Sequence, residues 1–434
     1  MDRLSYLPDQ IRNLIFSFLP TEDAIRSRIL STEWRYTCSS LSKLVFNQYQ
    51  GESLDNKLRK KFKEFVNQTL VPEETDIERI SVYVDVDEEV IFSLDLNRWI
   101  SIAVQRNVKE LCIWAVSSEP QKLPRCFFTC ATLKNLALHN IKFQFPDKFR
   151  FPMLNHLTLG NVVFCGHGME KLLSTDTCPV LEELVVLYCY QSNSIITYHP
   201  RIRYLKLFTR NYCDAFKLSI PSLREIDYSG IPLKVCSRTL YSLAKATFQF
   251  DTMHYNPPYP GANLAGLNNL HTLTLKPYFF EFLSLDRNLP AIASTLSFRL
   301  KHFRCHVFPT ENHYQMVFFM LDCLEGLETL GINVEELPRD EEEIRYLKKK
   351  YQPKSALRRI LSFYPALKRV EIRNCAALET ELFLVSTIFN GGNVCEEVHI
   401  SFSKSMDSIV RNKAIKYLSS MDRYGDKALY IGVF

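Results

Sequence analysis

The sequence predicts an α/β chain in which a short helical module is followed by a long stack of parallel strands. Two observations predict this. Apolar residues near the N-terminus recur at spacings of three and four, as they do on one face of a helix. After them the phrase apolar-x-x-apolar-x-apolar, where x is any residue, recurs a dozen or so times towards the C-terminal end. The 434 residues are enough for two or three domains, and the 46% hydrophobic content is typical of globular proteins.

The stretch from Leu7 to Trp34 is predicted to form three short helices. Pro20 ends the first helix because proline cannot continue the backbone hydrogen-bond ladder, and Thr21 is expected to cap the second. A third helix is expected to begin near Ser31. Three such short helices cannot bury their apolar residues among themselves, so we predict that part of this surface binds a partner. The first helix carries one apolar stripe, formed by Ile11, Leu14, Ile15, Phe18 and Leu19.

A fourth amphipathic helix is predicted after the polar connection at residues 47–53. This helix has its apolar positions at Leu54, Leu58, Phe62, Phe65, Val66 and Leu70.

The recurring phrase predicts stacked strands, because a dozen tandem copies do not arise by chance. Leu133 and Leu154, which begin two successive copies, lie 21 positions apart. The copies of the phrase begin at Leu41, Ile77, Val108, Leu133, Leu154, Leu181, Ile202, Leu223, Leu243, Leu270, Leu300, Leu327, Leu367 and Cys395.

Two copies extend to a closing cysteine, at Cys189 and Cys375, which we expect inside the turn after the strand. Two longer intervals break the period and are predicted to be surface insertions. One contains the proline-rich segment 255–261, and the other the charged segment 340–350.

These motifs resemble a known family. Leu7-Pro8-Asp9, the segment Ile15 to Thr21, Ile29-Leu30-Ser31 and Trp34-Arg35-Tyr36 resemble the plant-type F-box. The period of the phrase falls in the leucine-rich-repeat range of about 20–29 residues. The C-terminal 80 or so residues loosely resemble the extra FBD module of plant F-box repeat proteins. The resemblance implies a three-helix F-box at 1–46, a linker helix at 47–76, a leucine-rich-repeat solenoid with a curved parallel sheet at 77–352, and C-terminal repeats of FBD-like character at 353–434.

The resemblance also implies partners. The F-box of this family binds a Skp-type adaptor, which joins it to a cullin-based ubiquitin ligase. We therefore expect the chain to be a substrate-recognition subunit that holds an unknown target protein, and not an enzyme. The residues expected to support adaptor binding are Leu7, Pro8, Ile11, Ile15, Phe18, Leu19, Leu30 and Trp34.

Strand geometry predicts where a target binds. In each phrase the x residues between the apolar ones share one face of the sheet, opposite the core. The C-terminal half of that face is predicted to be basic and to favour an acidic or phosphorylated segment, since arginine offers paired donors to carboxylate or phosphate oxygens. The residues predicted to form this patch are Lys276, His302, Arg304, His306, Arg369 and Arg373.

Other function classes are not supported by the sequence. His302 and His306 flank strand residues and lack the partners of a zinc site, and Cys126 and Cys130 lack a second pair at zinc spacing. No nucleophile elbow, P-loop or dinucleotide-binding pattern occurs, so no catalytic residue, metal or cofactor is predicted. The charges, 53 basic and 48 acidic, are dispersed, which argues against a nucleic-acid partner.

The sequence predicts no membrane partner, because no apolar run approaches the roughly 18 residues that span a bilayer. Thirteen scattered cysteines indicate free thiols in a reducing compartment, and hence an intracellular protein of the nucleus and/or cytoplasm. Two alternative functions stay open. One is a small-molecule (hormone) sensor of the F-box repeat type, with Pro257 to Gly261 as the candidate covering loop, and the other is a repeat scaffold without ligase function.

Overall fold

The structure is a computed structural model that divides into two compact units, Met1–Ile202 and Arg203–Phe434, called here the first and the second unit. The residues it describes are 7–30, 41–48, 56–70, 75–86, 90–165, 167–189, 195–209, 216–230, 240–250, 264, 267–283, 299–338, 366–391, 396–404, 406–421 and 428–433.

The first unit alternates helices with short strands. Its helices are α1 (Asp9–Ser17), α2 (Thr21–Arg26), α3 (Asn56–Thr69), α4 (Val90–Gln105) and α5 (Gly168–Leu172), with 3-10 turns at Ser27–Ile29 and Arg125–Thr129. Its strands are β1 (Lys43–Asn47), β2 (Arg79–Asp85), β3 (Glu110–Val116), β4 (Gln121–Lys122), β5 (Asn135–His139), β6 (Ile141–Phe143), β7 (His156–Gly160), β8 (Val163–Phe164), β9 (Glu183–Leu187) and β10 (Ile195–Tyr198).

The main sheet of the first unit is parallel, in the order β1-β2-β3-β5-β7-β9. Equivalent leucines and isoleucines of the repeated phrase are paired across it and form a buried row, because a parallel stack with a constant register brings equivalent positions together. A smaller parallel sheet, β4-β6-β8, is formed by short strands that follow β3, β5 and β7 along the chain. The buried row is Leu44, Ile80, Leu111, Leu136, Leu157 and Leu184.

Asparagines hold the turns that follow the strands. Asn140 and Asn161 both have positive φ, 60° and 50°, a conformation that asparagine tolerates better than most residues. The Asn161 side-chain amide donates to Asn140 Oδ1 at 3.0 Å, and Asn140 Nδ2 donates to the carbonyl of Ser117 at 2.8 Å. Cys189 lies in the equivalent turn after β9, where its thiol donates to the carbonyl of Leu159 and burial raises its pKa to about 12.

Below this sheet the first unit contains a phenylalanine cluster that the sequence did not predict. The rings of Phe143 and Phe164 stack with centroids 5.5 Å apart, and Phe128 contacts the edge of Phe143. Offset and edge contacts of this kind add stability beyond the buried area. The cluster also includes Phe127, Phe145, Phe149 and Phe151.

The second unit has the same construction. Its strands are β11 (Tyr204–Phe208), β12 (Phe216–Ser219), β13 (Glu225–Gly230), β14 (Lys245–Phe250), β15 (Thr272–Leu275), β16 (His302–Val307), β17 (Thr329–Val334), β18 (Arg369–Cys375), β19 (Glu397–Phe402) and β20 (Ala428–Val433). Its helices are α6 (Pro277–Leu283), α7 (Glu311–Cys323), α8 (Glu379–Gly391) and α9 (Ser408–Met421). All strands except β12 form one parallel sheet in chain order. The predicted α/β class is confirmed.

A buried carboxylate joins α7 to α8. The Tyr314 hydroxyl donates to Glu381 Oε1 at 2.5 Å, and the Leu378 amide donates to Oε2 at 3.0 Å. The thiol of Cys375 donates to the same Oε2 at 3.3 Å. Cys375, the second closing cysteine, is the last residue of β18 and does not lie in the turn where the sequence predicted it. Burial raises the pKa of Cys375 and of Tyr314, so both stay protonated and remain donors.

Two details of the predicted N-terminal module differ. Thr21 does not cap α2: its Oγ1 accepts the amide of Val45 at 2.8 Å, which attaches α2 to β1. The sequence predicts Pro8 at the first helical position, because proline is tolerated there, but it is the residue before α1. The predicted third helix, including Trp34, and the insertions at 255–261 and 340–350 lie outside the described residues. The predicted domain boundaries stay a prediction.

Candidate docking surfaces

The apolar stripe predicted for α1 faces outward. Phe18 is 79% exposed, while its neighbour Phe16 is 1% exposed and forms the small core of the module with Ala24. The next turn adds Ile29 and Leu30, which are 87% and 69% exposed. Large apolar side chains left so exposed within one short segment are typical of a surface that binds a partner.

Most residues predicted to support adaptor binding fall on or beside this surface. Ile11, Phe18, Leu19 and Leu30 are exposed, as is Pro8, and Leu7 and Ile15 are half-buried. Trp34 lies outside the described residues. The prediction omitted Leu14 and Ile29, although both are exposed. Leu14 belongs to the same stripe by its spacing, so the sequence contained enough information to include it. We define the apolar face as Ile11, Leu14, Phe18, Leu19, Ile29 and Leu30.

The second candidate surface is the C-terminal part of the exposed sheet face in the second unit. His302 and Arg304 project outward from β16, but His306 on the same strand is buried. Lys276, directly after β15, places Nζ 3.1 Å from His306 Nδ1, and Glu335 Oε1 lies 2.5 Å from the same nitrogen. Burial lowers the pKa of His306, and the neighbouring Lys276 adds to this, whereas Glu335 opposes it.

Carboxylates lie among the predicted basic residues. Glu371 stands between Arg369 and Arg373 on β18, and its Oε1 accepts from Arg373 Nε at 2.7 Å. Arg369 Nε donates to Glu397 Oε2 at 2.8 Å. The four cations of the predicted patch are thus accompanied by Glu335, Glu371 and Glu397, so the net positive charge of the patch is smaller than the sequence predicted. Contacts between strands depend on sheet register, which the prediction did not take into account.

Two other kinds of feature, a metal site and a membrane-spanning helix, are not found in the described part of the chain. Within the described residues no three His, Cys, Asp or Glu side chains come together as a metal site would require. Likewise, none of the helices described here combines the length and apolar character needed to cross a membrane.

Two family models match the chain. The model of the F-box domain matches residues 4–46, the part that carries the apolar face. The model described as "FBD-associated F-box protein At5g56370, LRR repeats" matches residues 96–246, which include the strands β3 to β13 and the start of β14.

Known proteins of Arabidopsis thaliana are similar to about half of the chain. The F-box/FBD/LRR-repeat protein At5g56420 is 29% identical over 239 residues, 52% of this chain and 54% of the relative. The FBD-associated F-box protein At5g38590 is 30% identical over 260 residues, with 52% and 60% covered. The F-box/LRR-repeat protein At1g55660 is 32% identical over 238 residues, with 52% and 63% covered. The chain thus spans about half to just under two thirds of these relatives' lengths. The chain thus carries an F-box with an outward apolar face, followed by parallel leucine-rich-repeat strands, and it is similar to the plant-type F-box/leucine-rich-repeat proteins.

Proposed function

We propose that the chain is the substrate-recognition subunit of a Skp–cullin–F-box ubiquitin ligase. The observation that carries this proposal is the apolar face, which is exposed within the segment that matches the F-box domain. Covering one large apolar side chain gains about 1.5–3 kcal/mol, so burying several of them on an adaptor can support a stable complex.

In this role the chain performs no covalent chemistry. It holds a target protein near the ubiquitin-conjugating enzyme that the cullin recruits, and proximity turns an intermolecular transfer into an effectively local one. The buried thiols of Cys305 and Cys375 fit a structural role, because burial raises the pKa of both and disfavours the nucleophilic thiolate.

We place the target site on the exposed sheet face of the second unit, at Lys276, His302, Arg304, His306, Arg369 and Arg373. This part of the proposal is supported by the exposure of the three arginines and by Lys276 beside His306. An acidic or phosphorylated target segment would take the place of Glu371 and Glu397 as the hydrogen-bond partner of the arginine side chains. The proposal includes an intracellular location, supported by the free state of the cysteines that the structure describes.

Co-purification with a Skp-type adaptor tests the adaptor role. The variant Phe18→Ser with Leu30→Ser removes two exposed apolar side chains and should lose most adaptor binding without lowering the thermal transition of the repeats. The matched control is Ile409→Ser with Tyr417→Ser on α9, which removes two exposed apolar side chains elsewhere. Adaptor binding by Phe18→Ser/Leu30→Ser at the level of the control would refute this role and would favour the scaffold alternative.

A further inference from the structure

The exposed sheet face of the first unit contains a depression of about 310 Å³ above β2, β3, β5 and β7. Its floor is made of small side chains. Ser81, Cys112, Ala137 and Thr158 are successive register partners on the four strands, so they form one row across the sheet. A row without bulky side chains lets a second polypeptide backbone approach the sheet closely.

An aromatic pair borders the floor on one side. The rings of Trp114 and His139 stack in parallel, with centroids 3.9 Å apart and planes 5° apart. His139 in turn lies over Gly160, where a Cβ atom would come within 2.6 Å of His139 Cδ2. Glycine at this position therefore makes room for the imidazole, and the imidazole fixes the tryptophan.

Trp114 remains available to a ligand. It is 40% exposed, and among the described residues no aromatic ring other than His139 contacts it. Burial lowers the pKa of His139, so the stacked imidazole is neutral at pH 7 and does not repel a cation. A fixed, exposed tryptophan beside a pre-formed depression has the properties of an interface anchor.

A polar row borders the floor on the other side. Arg79 donates to Glu110 at 2.5 Å, which pairs these two charges. His156 lies between Asn135, whose Oδ1 is 3.0 Å away, and Glu183, whose Oε1 is 3.2 Å away. Arg79 and Glu110 offset each other, so Glu183 is the carboxylate of this row that no arginine or lysine in the row offsets. Its charge is therefore complementary to a basic ligand.

We propose that an extended segment of a target protein lies in this depression and places an arginine side chain on the exposed face of Trp114. Arginine fits better than lysine, since its planar guanidinium stacks on an aromatic ring. Four strands are about 14 Å wide at about 4.8 Å between neighbours, so four or five extended residues cross the floor. The proposal adds a target-binding element to the proposed receptor function, on which it rests, and its preferred charge is opposite to that of the second-unit patch.

Peptide titration of the full chain tests this inference. The probes are fluorescein-labelled octapeptide pools whose fourth residue is fixed as arginine, citrulline or glutamate and whose other positions are random. Citrulline keeps the planar shape of arginine and removes its charge. The arginine pool should bind about tenfold more tightly than the citrulline pool, the factor that a cation–π contact supplies. Equal binding of these pools, or tighter binding of the glutamate pool, would overturn the proposal.

Three variants locate the site. Trp114→Leu should abolish the preference for arginine, and Glu183→Gln should reduce binding of the arginine pool several-fold. The matched control Tyr198→Leu removes another exposed aromatic ring of the same unit and should change nothing. An arginine preference that survives Trp114→Leu would place the binding site elsewhere.

Adaptor co-purification in the same variants separates this inference from the receptor proposal. Adaptor binding should persist in all three variants. If the unmodified chain fails to bind the adaptor while Trp114→Leu still removes the arginine preference, the receptor function fails and the peptide site stands. If the adaptor binds and the peptide pools show no preference, the peptide site fails alone.

Discussion

Arg304 on β16 reaches over β17 towards Glu371 on β18, with Nη2 3.9 Å from Oε2. Gly331 is the residue that permits this, because it is the register partner of both. A Cβ atom at position 331 would lie 3.2 Å from Arg304 Nε, so any side chain there would press on the arginine and a branched one would push it aside. The orientation of Arg304 thus depends on a glycine on the adjacent strand.

Gly331→Val should displace the Arg304 side chain from Glu371. Arg304 is exposed and flexible, so the side chain can move away, and valine suits a strand. We expect a small change in stability, within about 1 kcal/mol, and a weaker capture of target. A crystal structure of the variant checks the orientation of Arg304. An unmoved arginine would show that the glycine is not required.

Charge reversal at Arg304→Glu with Lys276→Glu should weaken capture of a target by the second-unit patch, more at low salt than at high salt. The reason is that an acidic target segment would meet repulsion, which salt screens. Binding at several ionic strengths, once affinity purification has supplied a target, measures the effect. Lys206→Glu with Lys245→Glu, on β11 and β14 of the same unit, is the matched control. Equal capture by both double variants would move the target site away from this patch.

The sequence predicted the strands that carry the repeated phrase because each of them obeys a local rule, but it did not predict the short strands β4, β6, β8, β10 and β12. Buried parallel strands with a constant register repeat their apolar pattern, so Leu205, Ile226 and their equivalents could be found without a structure. The last strand, β20, was missed because Asp426 occupies the first apolar position of its phrase. Its Leu429 nevertheless pairs with Val398.

The candidate sites were only partly predictable, since they depend on contacts between distant residues. The sequence predicted that Arg304 and Arg369 are exposed, but not that Glu371 and Glu397 accompany them. The aromatic pair of Trp114 and His139 has no sequence pattern, because its residues lie on different strands and meet only through the register of β3 and β5.

Glu381→Ala should destabilise the second unit by at least about 2 kcal/mol, because the Tyr314 hydroxyl and the Leu378 amide lose their acceptors in a buried place. Glu381→Gln retains an acceptor oxygen and should cost less. Glu379→Ala, an exposed glutamate in the same first turn of α8, is the matched control and should stay within about 0.5 kcal/mol. Amide hydrogen exchange of α7 and α8 measures the effect, and equal exchange in both alanine variants would contradict the structural role of Glu381.

The stability of the first unit should fall as the pH drops below about 6.5, and His199 is the clearest cause. His199 is fully buried, with Nε2 3.0 Å from the carbonyl of Cys178, and the amide of Arg201 donates to Nδ1 at 3.3 Å. Nε2 therefore carries the only proton, and burial lowers the pKa from its ordinary value of 6.5. The neutral ring is the form that this site accepts.

The sign of the effect follows from proton binding. Below pH 6.5 the unfolded chain takes up a proton at His199 that the folded chain resists, so the unfolded state is favoured as the pH falls. Above pH 6.5 the ring is neutral in both states and its stabilising contribution is complete. His139 acts in the same direction, because burial lowers its pKa as well.

Urea denaturation between pH 7.5 and 5.5 measures this dependence, in a range where ordinary carboxylates stay ionised. The first unit should lose stability across the range, and His199→Gln, which has no titrating group, should have a lower stability at pH 7.5 and a shallower slope. His167→Gln is the matched control, since it removes an exposed histidine of the same unit and shows how much of the change in slope comes from losing any histidine. A slope that is identical in the unmodified chain and in His199→Gln would assign the pH dependence to other groups.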